Sequence, residues 1–234
     1  LYDAAVSNAR INYFAKTTGA TQRDFIETYH DRVRLSVIKH LSESEHVKYH
    51  NLMATALIET GRNKTDPQSI LRHLVAAGKT AQAAICAKEA AEKAIESMAF
   101  DQGAELLKMA LRLGEFSEEK ERAIRLRWAD VLANAGKGKE AGDLYLAASE
   151  GMDEEERLRC DLLAGSQFLF AGYIQEGLAA MDKVIANIGE TIPKTSKGAL
   201  LSLLWNRVRL KFRGGKWKER NESSISPETK RRLD

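Results

Sequence analysis

Small residues return at a fixed interval along this chain, and that interval narrows the folds open to it. With the segments Phe100–Leu113, Lys137–Ser149 and Tyr173–Ile188 set beneath one another, Ala104, Ala141 and Gly177 share one slot, 37 and 36 residues apart. In the segments that precede them, Ala129 and Gly165 also match, 36 apart. A period near 34–37 residues with two helices per unit marks an array of helical hairpins. One such unit cannot bury its apolar stripe alone, so neighbours must stack into a continuous core. Small side chains at matching slots let the helices approach closely, and a bulky one there would overpack the contact at about 1–3 kcal/mol.

The helix boundaries are written in the local chemistry. Ser42 with Glu45 reads as a capping box, the hydroxyl taking the amide three residues on while the carboxylate reaches back. The helix it opens runs to about Thr60 and stops at Gly61. Asp66-Pro67 opens the next, because Asp caps and Pro suits a first turn whose amide has no partner anyway. Later helices are predicted to start near Thr80, Asp101, Ser117, Lys137, Asp153, Tyr173 and Ser196. Gly114, Gly136, Gly151, Gly172 and Gly189 stand where left-handed C-terminal caps are expected. The front differs. Residues 4–9 read as the end of a helix, Ile11-Asn12-Tyr13-Phe14 and Phe25-Ile26-Glu27-Thr28-Tyr29 as two short strands, and the Gly19 region between them as a turn. Val33, Val37, Ile38 and Leu41 then restore helical spacing near Asp31. A helix, a hairpin and a second helix form the closing part of a winged-helix unit.

The charge is uneven. From Pro193 to Asp234 there are 12 Lys/Arg and 4 Asp/Glu, a net of +8, which leaves the other 192 residues at −5. A basic segment can meet nucleic acid, an anionic membrane surface or an acidic domain, or can simply be a solvated face. Leu200, Leu201, Leu203, Leu204 and Val208 are expected to pack as a stripe on the preceding repeat, with Trp205 and Trp217 nearby. Two cysteines cannot build a disulfide framework, which fits a reducing cytoplasmic compartment. Apolar runs such as Ala199-Leu200-Leu201 fall far short of the roughly 20 residues of a membrane span. Asp3, Asn8 and Arg10 interrupt any signal-peptide core. The first residue is Leu1 rather than Met, and the chain is expected to be a piece of a longer protein.

Catalytic motifs are missing from the sequence. GxxxxGK[ST] does not occur, and Gly136-Lys137-Gly138-Lys139, similar in composition, reads as a repeat turn. The kinase HRD and DFG motifs do not occur either; His30-Asp31-Arg32 has the letters in another order, and its Asp reads as a helix cap. His46 and His50 are spaced i, i+4 and could face one metal, but no third ligand follows, so they are read as structural. Cys86 and Cys160 read as core or half-buried thiols. No catalytic residue, cofactor site or metal site is therefore assigned.

The stretch from Ala129 through Gly136-Lys-Gly-Lys-Glu-Ala141 to Ala148, and that from Gly165 through Gly172-Tyr-Ile-Gln-Glu-Gly177, resemble tetratricopeptide (TPR) repeats. Glu92 falls where the first helix of the earliest unit should be small, and a shift to Ala91 repairs the match. Tyr29-His30-Asp31-Arg32-Val33-Arg34, with Leu41, His50, Ala54 and the run Leu71-Arg72-His73-Leu74 to Ala77-Gly78, is similar to the end of the regulatory module of STAND signal-transduction ATPases. Leu200-Leu201-Ser202-Leu203-Leu204-Trp205 through Gly214 resembles the repeat region of large bacterial serine/threonine kinases.

The resemblance implies a mainly α fold, a TPR-like helical-hairpin solenoid with a small winged-helix remnant, divided at 1–60 and 61–234. It implies a non-catalytic regulatory and protein-interaction segment, with ATP and Mg held by upstream ATPase or kinase domains. The expected partners are a protein or peptide on the repeats and those upstream domains. If the first helix of each unit lines the concave face, Asp130, Asn134, Arg159, Ser166 and Phe170 point toward a ligand. A second reading is a transcription regulator that sets the helix Asp31–Leu41, with Arg32, Arg34, Lys39 and His40, on DNA. A third is an enzyme completed by an upstream domain, to which this segment adds only positioning.

Overall fold

The computed structural model describes residues 2–17, 26–62, 66–187, 189–214 and 225. The predicted turn around Gly19, Phe25, Ile188 and Trp217 lie outside these residues. The described elements are eleven helices and one two-stranded hairpin. The chain divides into two compact units, Leu1–Ala90 and Ala91–Asp234.

The first unit opens with α1 (Tyr2–Ile11), β1 (Ala15–Thr17), β2 (Ile26–Thr28) and α2 (Asp31–His40). The strands are antiparallel, with Ala15 opposite Thr28, Lys16 opposite Glu27 and Thr17 opposite Ile26. The hairpin is present, but its first strand lies later than predicted. Ile11 ends α1, and Tyr13 takes a left-handed φ of 57°, so the aromatic run forms the turn out of the helix rather than a strand. No residue of α2 is buried. Then come α3 (Glu43–Glu59), α4 (Pro67–Ala76) and α5 (Thr80–Glu96), the last of which runs on into the second unit. α3 and α4 pack together, and Ala54, Ile70, Leu71 and Leu74 are buried.

The predicted caps form. Glu45 donates its amide to Ser42 Oγ at 3.3 Å, and Ser42 donates its amide to Glu45 Oε2 at 2.8 Å. The Ser42 hydroxyl also donates to Glu45 Oε2 at 2.7 Å, and this bond first, then the Ser42 amide, holds the Glu45 carboxyl below its ordinary value by favouring the charged form. Asp66 accepts the Ser69 amide at 3.1 Å, with Pro67 in the first turn.

The second unit holds the end of α5, then α6 (Phe100–Leu113), α7 (Glu118–Asn134), α8 (Gly138–Ala148), α9 (Glu154–Phe170), α10 (Ile174–Asn187) and α11 (Ser196–Arg213). Asp153 caps α9 through the Glu156 amide at 2.9 Å. Each helix from α6 to α10 packs on its sequence neighbour. Gly136, Gly151, Gly172 and Gly189 are left-handed, as expected of C-terminal caps. Gly114 is not: its φ of −99° is extended, because the chain leaves α6 in a straight segment toward Ser117. Met98, with φ 59°, takes the left-handed place at the end of α5.

The small-residue slots are where the helices touch. A Cβ built on Gly177 of α10 would lie 2.6 Å from Leu169 Cγ and 3.1 Å from the Gly165 carbonyl oxygen of α9. One built on Gly103 of α6 would lie 2.8 Å from Ile95 Cγ1 and 3.5 Å from the Ala91 carbonyl oxygen of α5. In both hairpins the paired slots are therefore twelve residues apart, and the same step from Ala129 of α7 leads to Ala141 of α8. Ala129 and Ala141 are both 0% exposed. The first slot of the earliest unit is thus Ala91, not Glu92. Ala104 is buried too, beside the slot residue Gly103.

Successive hairpins add contacts of their own. A Cβ on Gly138 of α8 would meet the Gln167 carbonyl oxygen of α9 at 2.7 Å, and one on Gly142 would meet the Phe168 ring at 2.6 Å. The expected packing of the last helix on the preceding repeat does not occur. No residue of α11 is buried, and Leu200, Leu201, Leu203, Leu204 and Val208 are all exposed.

Gly177→Leu should therefore lower stability by about 1–2 kcal/mol in urea unfolding, the overpacking cost of about 1–3 kcal/mol less the helix propensity regained. A midpoint unchanged from the parent chain would show that the slot is not tight.

Candidate partner-binding surface

Asp130, Asn134, Arg159, Ser166 and Phe170 lie on the first helices of two adjacent hairpins, α7 and α9. Asp130 and Asn134 are one helical turn apart on α7. Arg159, Ser166 and Phe170, spaced i, i+7, i+11, share one face of α9 with Leu162. Asn134, Arg159, Leu162 and Phe170 are exposed, and Phe170 is 86% accessible. Phe170 and Leu162 form an exposed apolar pair on this face.

Two of the five are committed within the fold. Asp130 Oδ1 accepts the Tyr145 hydroxyl of α8 at 2.5 Å. Tyr145 is buried, and burial first, then the bond to Asp130, raises its phenol well above the ordinary range. Ser166 donates its hydroxyl to the Leu162 carbonyl oxygen at 2.9 Å, a bond within its own helix. The structure thus gives Asp130 a packing partner, while Asn134, Arg159 and Phe170 keep accessible side chains.

A further pair stands beside them. Glu92, half-buried near the end of α5, accepts a forked bond from Arg127 of α7, at 3.2 Å from Nε and 2.7 Å from Nη2. The fork raises the Arg127 guanidinium further above its ordinary value, chiefly through the bond to Glu92. The acid that misfits the small slot in the sequence is therefore a tie between the first helices of neighbouring units. Lys137 and Asp101, at 2.8 Å, tie the starts of successive second helices in the same way.

Other residues singled out in the sequence have structural places. Cys86 is buried and donates to the Pro67 carbonyl oxygen at 3.1 Å; burial pushes its thiol up to about 11. Cys160 is buried and also shifted up, chiefly by burial. These thiols are protonated at neutral pH and are not poised as nucleophiles. Arg32 and Arg34 lie on the exposed α2, where Arg34 pairs with Asp31 at 3.1 Å. Among the described residues no cluster of three or more His, Cys, Asp or Glu side chains could hold a metal ion.

His50 has a partner that local spacing does not reveal. Its Nδ1 lies 2.8 Å from Nδ1 of His73 on α4, and its ring stacks on His46 at 6.4 Å. Two facing ring nitrogens at this distance share one proton, so the contact needs one ring as donor and the other as acceptor. Desolvation, then His50 and Arg72, hold His73 below its ordinary 6.5.

No family model matches the chain, and no curated protein matches it. The chain is similar to a solved structure of TPR-like repeats from a Podosopora anserina protein described as a kinesin light chain, with 18% identity over 67% of this chain and 82% of that one, at a TM-score of 0.40. A single-substitution variant of the same repeats gives the same figures.

Two outcomes follow from these contacts. Tyr145→Phe should cost about 1–2 kcal/mol in chemical denaturation, the net worth of a bond to a charged acceptor that water partly replaces; no loss would show that Asp130 is not held by it. For His73 the folded value lies below the unfolded one, so the unfolded chain binds the extra proton first. The stability contribution is complete above about pH 6.5 and is lost as pH falls below it. The melting temperature should drop as pH falls below about 6.5, and His73→Gln should flatten that drop. An equal drop in the variant would exclude the pair as its source.

Proposed function

We propose that this chain is a non-catalytic, protein-interaction segment whose stacked helical hairpins present α7 and α9 to a peptide or protein partner. The observation that carries this reading is the accessible row on those two helices. Asn134, Arg159, Leu162 and Phe170 stay exposed although every helix from α6 to α10 packs on its neighbour. Mixed aromatic, aliphatic, amide and cationic groups on a preordered surface suit an extended peptide: the helices are already fixed, and the apolar Phe170 and Leu162 offer anchoring area. Phe170 is the side chain expected to contribute most, since aromatic anchors dominate such contacts.

The resemblance of the front segment to STAND modules, and of α11 to kinase-associated repeats, supports a finer reading. In that reading the segment couples a nucleotide-driven switch upstream to partner binding on the repeats, within a multidomain signalling protein. The parent reading frame tests it directly: a phosphate-binding loop and kinase motifs upstream would agree with it, and a parent frame without them would contradict it.

The binding surface itself can be tested with phage-displayed peptides selected on the immobilised chain. Enriched peptides should bind about tenfold or more weakly to Phe170→Ala and Arg159→Ala, both exposed positions, while circular dichroism should show each variant folded. Peptides that bind both variants as tightly as the parent chain would place the site elsewhere.

A further inference from the structure

α3 and α4 meet at histidines as well as at apolar side chains. His50 of α3 and His73 of α4 are part-buried, their Nδ1 atoms 2.8 Å apart and their ring centroids 5.0 Å apart. His46, one turn before His50, stacks on it at 6.4 Å and donates its Nε2–H to the Ile38 carbonyl oxygen of α2 at 3.0 Å. Three imidazoles therefore run in contact from the end of α2 through α3 to α4. The His50–His73 contact adjoins the core of this helix pair. Ala54, one turn after His50, is buried, and so are Ile70 and Leu74, which flank His73 on α4. Interiors pack too densely to absorb a displaced ring without loss of neighbouring contacts.

We propose that the His50–His73 pair is a proton-operated latch: one shared proton holds α3 on α4, and a second proton opens this helix pair while the stacked hairpins of α6–α10 stay closed. The geometry admits a single proton between the rings. With one, an Nδ1–H donates to a bare Nδ1 at hydrogen-bond distance. With two, donor would point at donor across 2.8 Å and like charges would face each other, so the second proton is bound only with the rings apart. His46 differs: a carbonyl accepts its Nε2–H whether or not the ring is charged, so its tie to α2 survives acidification.

The groups around the pair do not neutralise a second charge. Burial acts first on His73, followed by the charges of His50 and of Arg72 on α4, and all three oppose its protonation. On α3, His46 faces His50, while Glu45, beside His46, is bonded to the Ser42 hydroxyl and amide. From α2 comes the Ile38 carbonyl already bonded to His46; His40 is bonded to the Ser36 carbonyl of its own helix. On α5, the Glu89 carboxylate acts on Cys86, which bonds the Pro67 carbonyl at the start of α4. The open form, with His73 at its ordinary value, therefore binds the second proton before the closed form does. Opening rises as pH falls below about 6.5, by up to about tenfold per pH unit for the one proton taken up. Protonation of packed histidines is a known kind of switch at such pH.

Hydrogen exchange read by mass spectrometry on the whole chain tests the latch, above and below about pH 6.5, with each rate corrected for the intrinsic exchange rate at its pH. Protection across α3 and α4 should fall severalfold at the lower pH, while α7–α9 keep theirs. In His73→Gln and in His50→Gln the amide can still bond the remaining imidazole but takes up no proton. Either variant, shown folded by circular dichroism, should therefore hold its α3–α4 protection through the same change. Imidazole nuclear magnetic resonance reads the parent chain without substitution, and the two rings should take up their protons in two coupled steps. Any of four results would overturn the proposal: α3–α4 protection that does not change with pH, an equal fall in a folded glutamine variant, an equal fall in α7–α9, or two rings that titrate independently.

Discussion

Close approach at small residues is the constraint on which the second unit rests. Gly177 stands where any Cβ would meet Leu169 at 2.6 Å, and Gly103 where one would meet Ile95 at 2.8 Å. At such distances there is no room to trade a methyl group for a looser fit, because cores are packed at the density of organic crystals. The twelve-residue step from Ala91 to Gly103, from Ala129 to Ala141 and from Gly165 to Gly177 sets where each second helix lies on its first. Contacts between hairpins, such as Gly142 against Phe168, then carry the stack forward.

The polar ties follow from that stacking rather than cause it. Glu92 and Arg127 meet because their helices already lie side by side, as do Asp101 and Lys137. Half-exposed pairs of this kind each add at most about 1 kcal/mol, so they set register more than they supply stability. Tyr145 and Asp130 work differently, because the phenol is buried and loss of the carboxylate would leave its hydroxyl unsatisfied. Asn134, Arg159, Leu162 and Phe170 stay accessible on α7 and α9, and the functional proposal stands on them.

Features decided within one turn of chain were legible in the sequence. Ser42 with Glu45, Asp66 with Pro67, and Asp153 with Glu156 mark helix starts because the bonds they make are local. Burial at Ala104, Ala129, Ala141, Gly165 and Gly177 was legible because a repeat shows the same constraint several times. What needs a neighbour in space was not legible. Glu92 looks like a violated slot until Arg127 is placed beside it. His50 looks paired with His46 until α4 brings in His73. Asp130 counts as an outward side chain until Tyr145 claims it. The shift from Glu92 to Ala91 was legible, but its counterpart from Ala104 to Gly103 was not, because both residues are small and both are buried. The fate of α11 was misread because an apolar stripe tells that a helix wants cover, not which surface supplies it.

Native-state hydrogen exchange on the Ala129→Leu variant is the most direct measurement of the stack. If the small slots hold the hairpins together, overpacking the middle one should lower amide protection through α7 and α8 and into the helices packed on them, α6 and α9. Protection equal to that of the parent chain throughout α6–α9 would show that these helices do not depend on close approach at Ala129, and the account of the fold would fail.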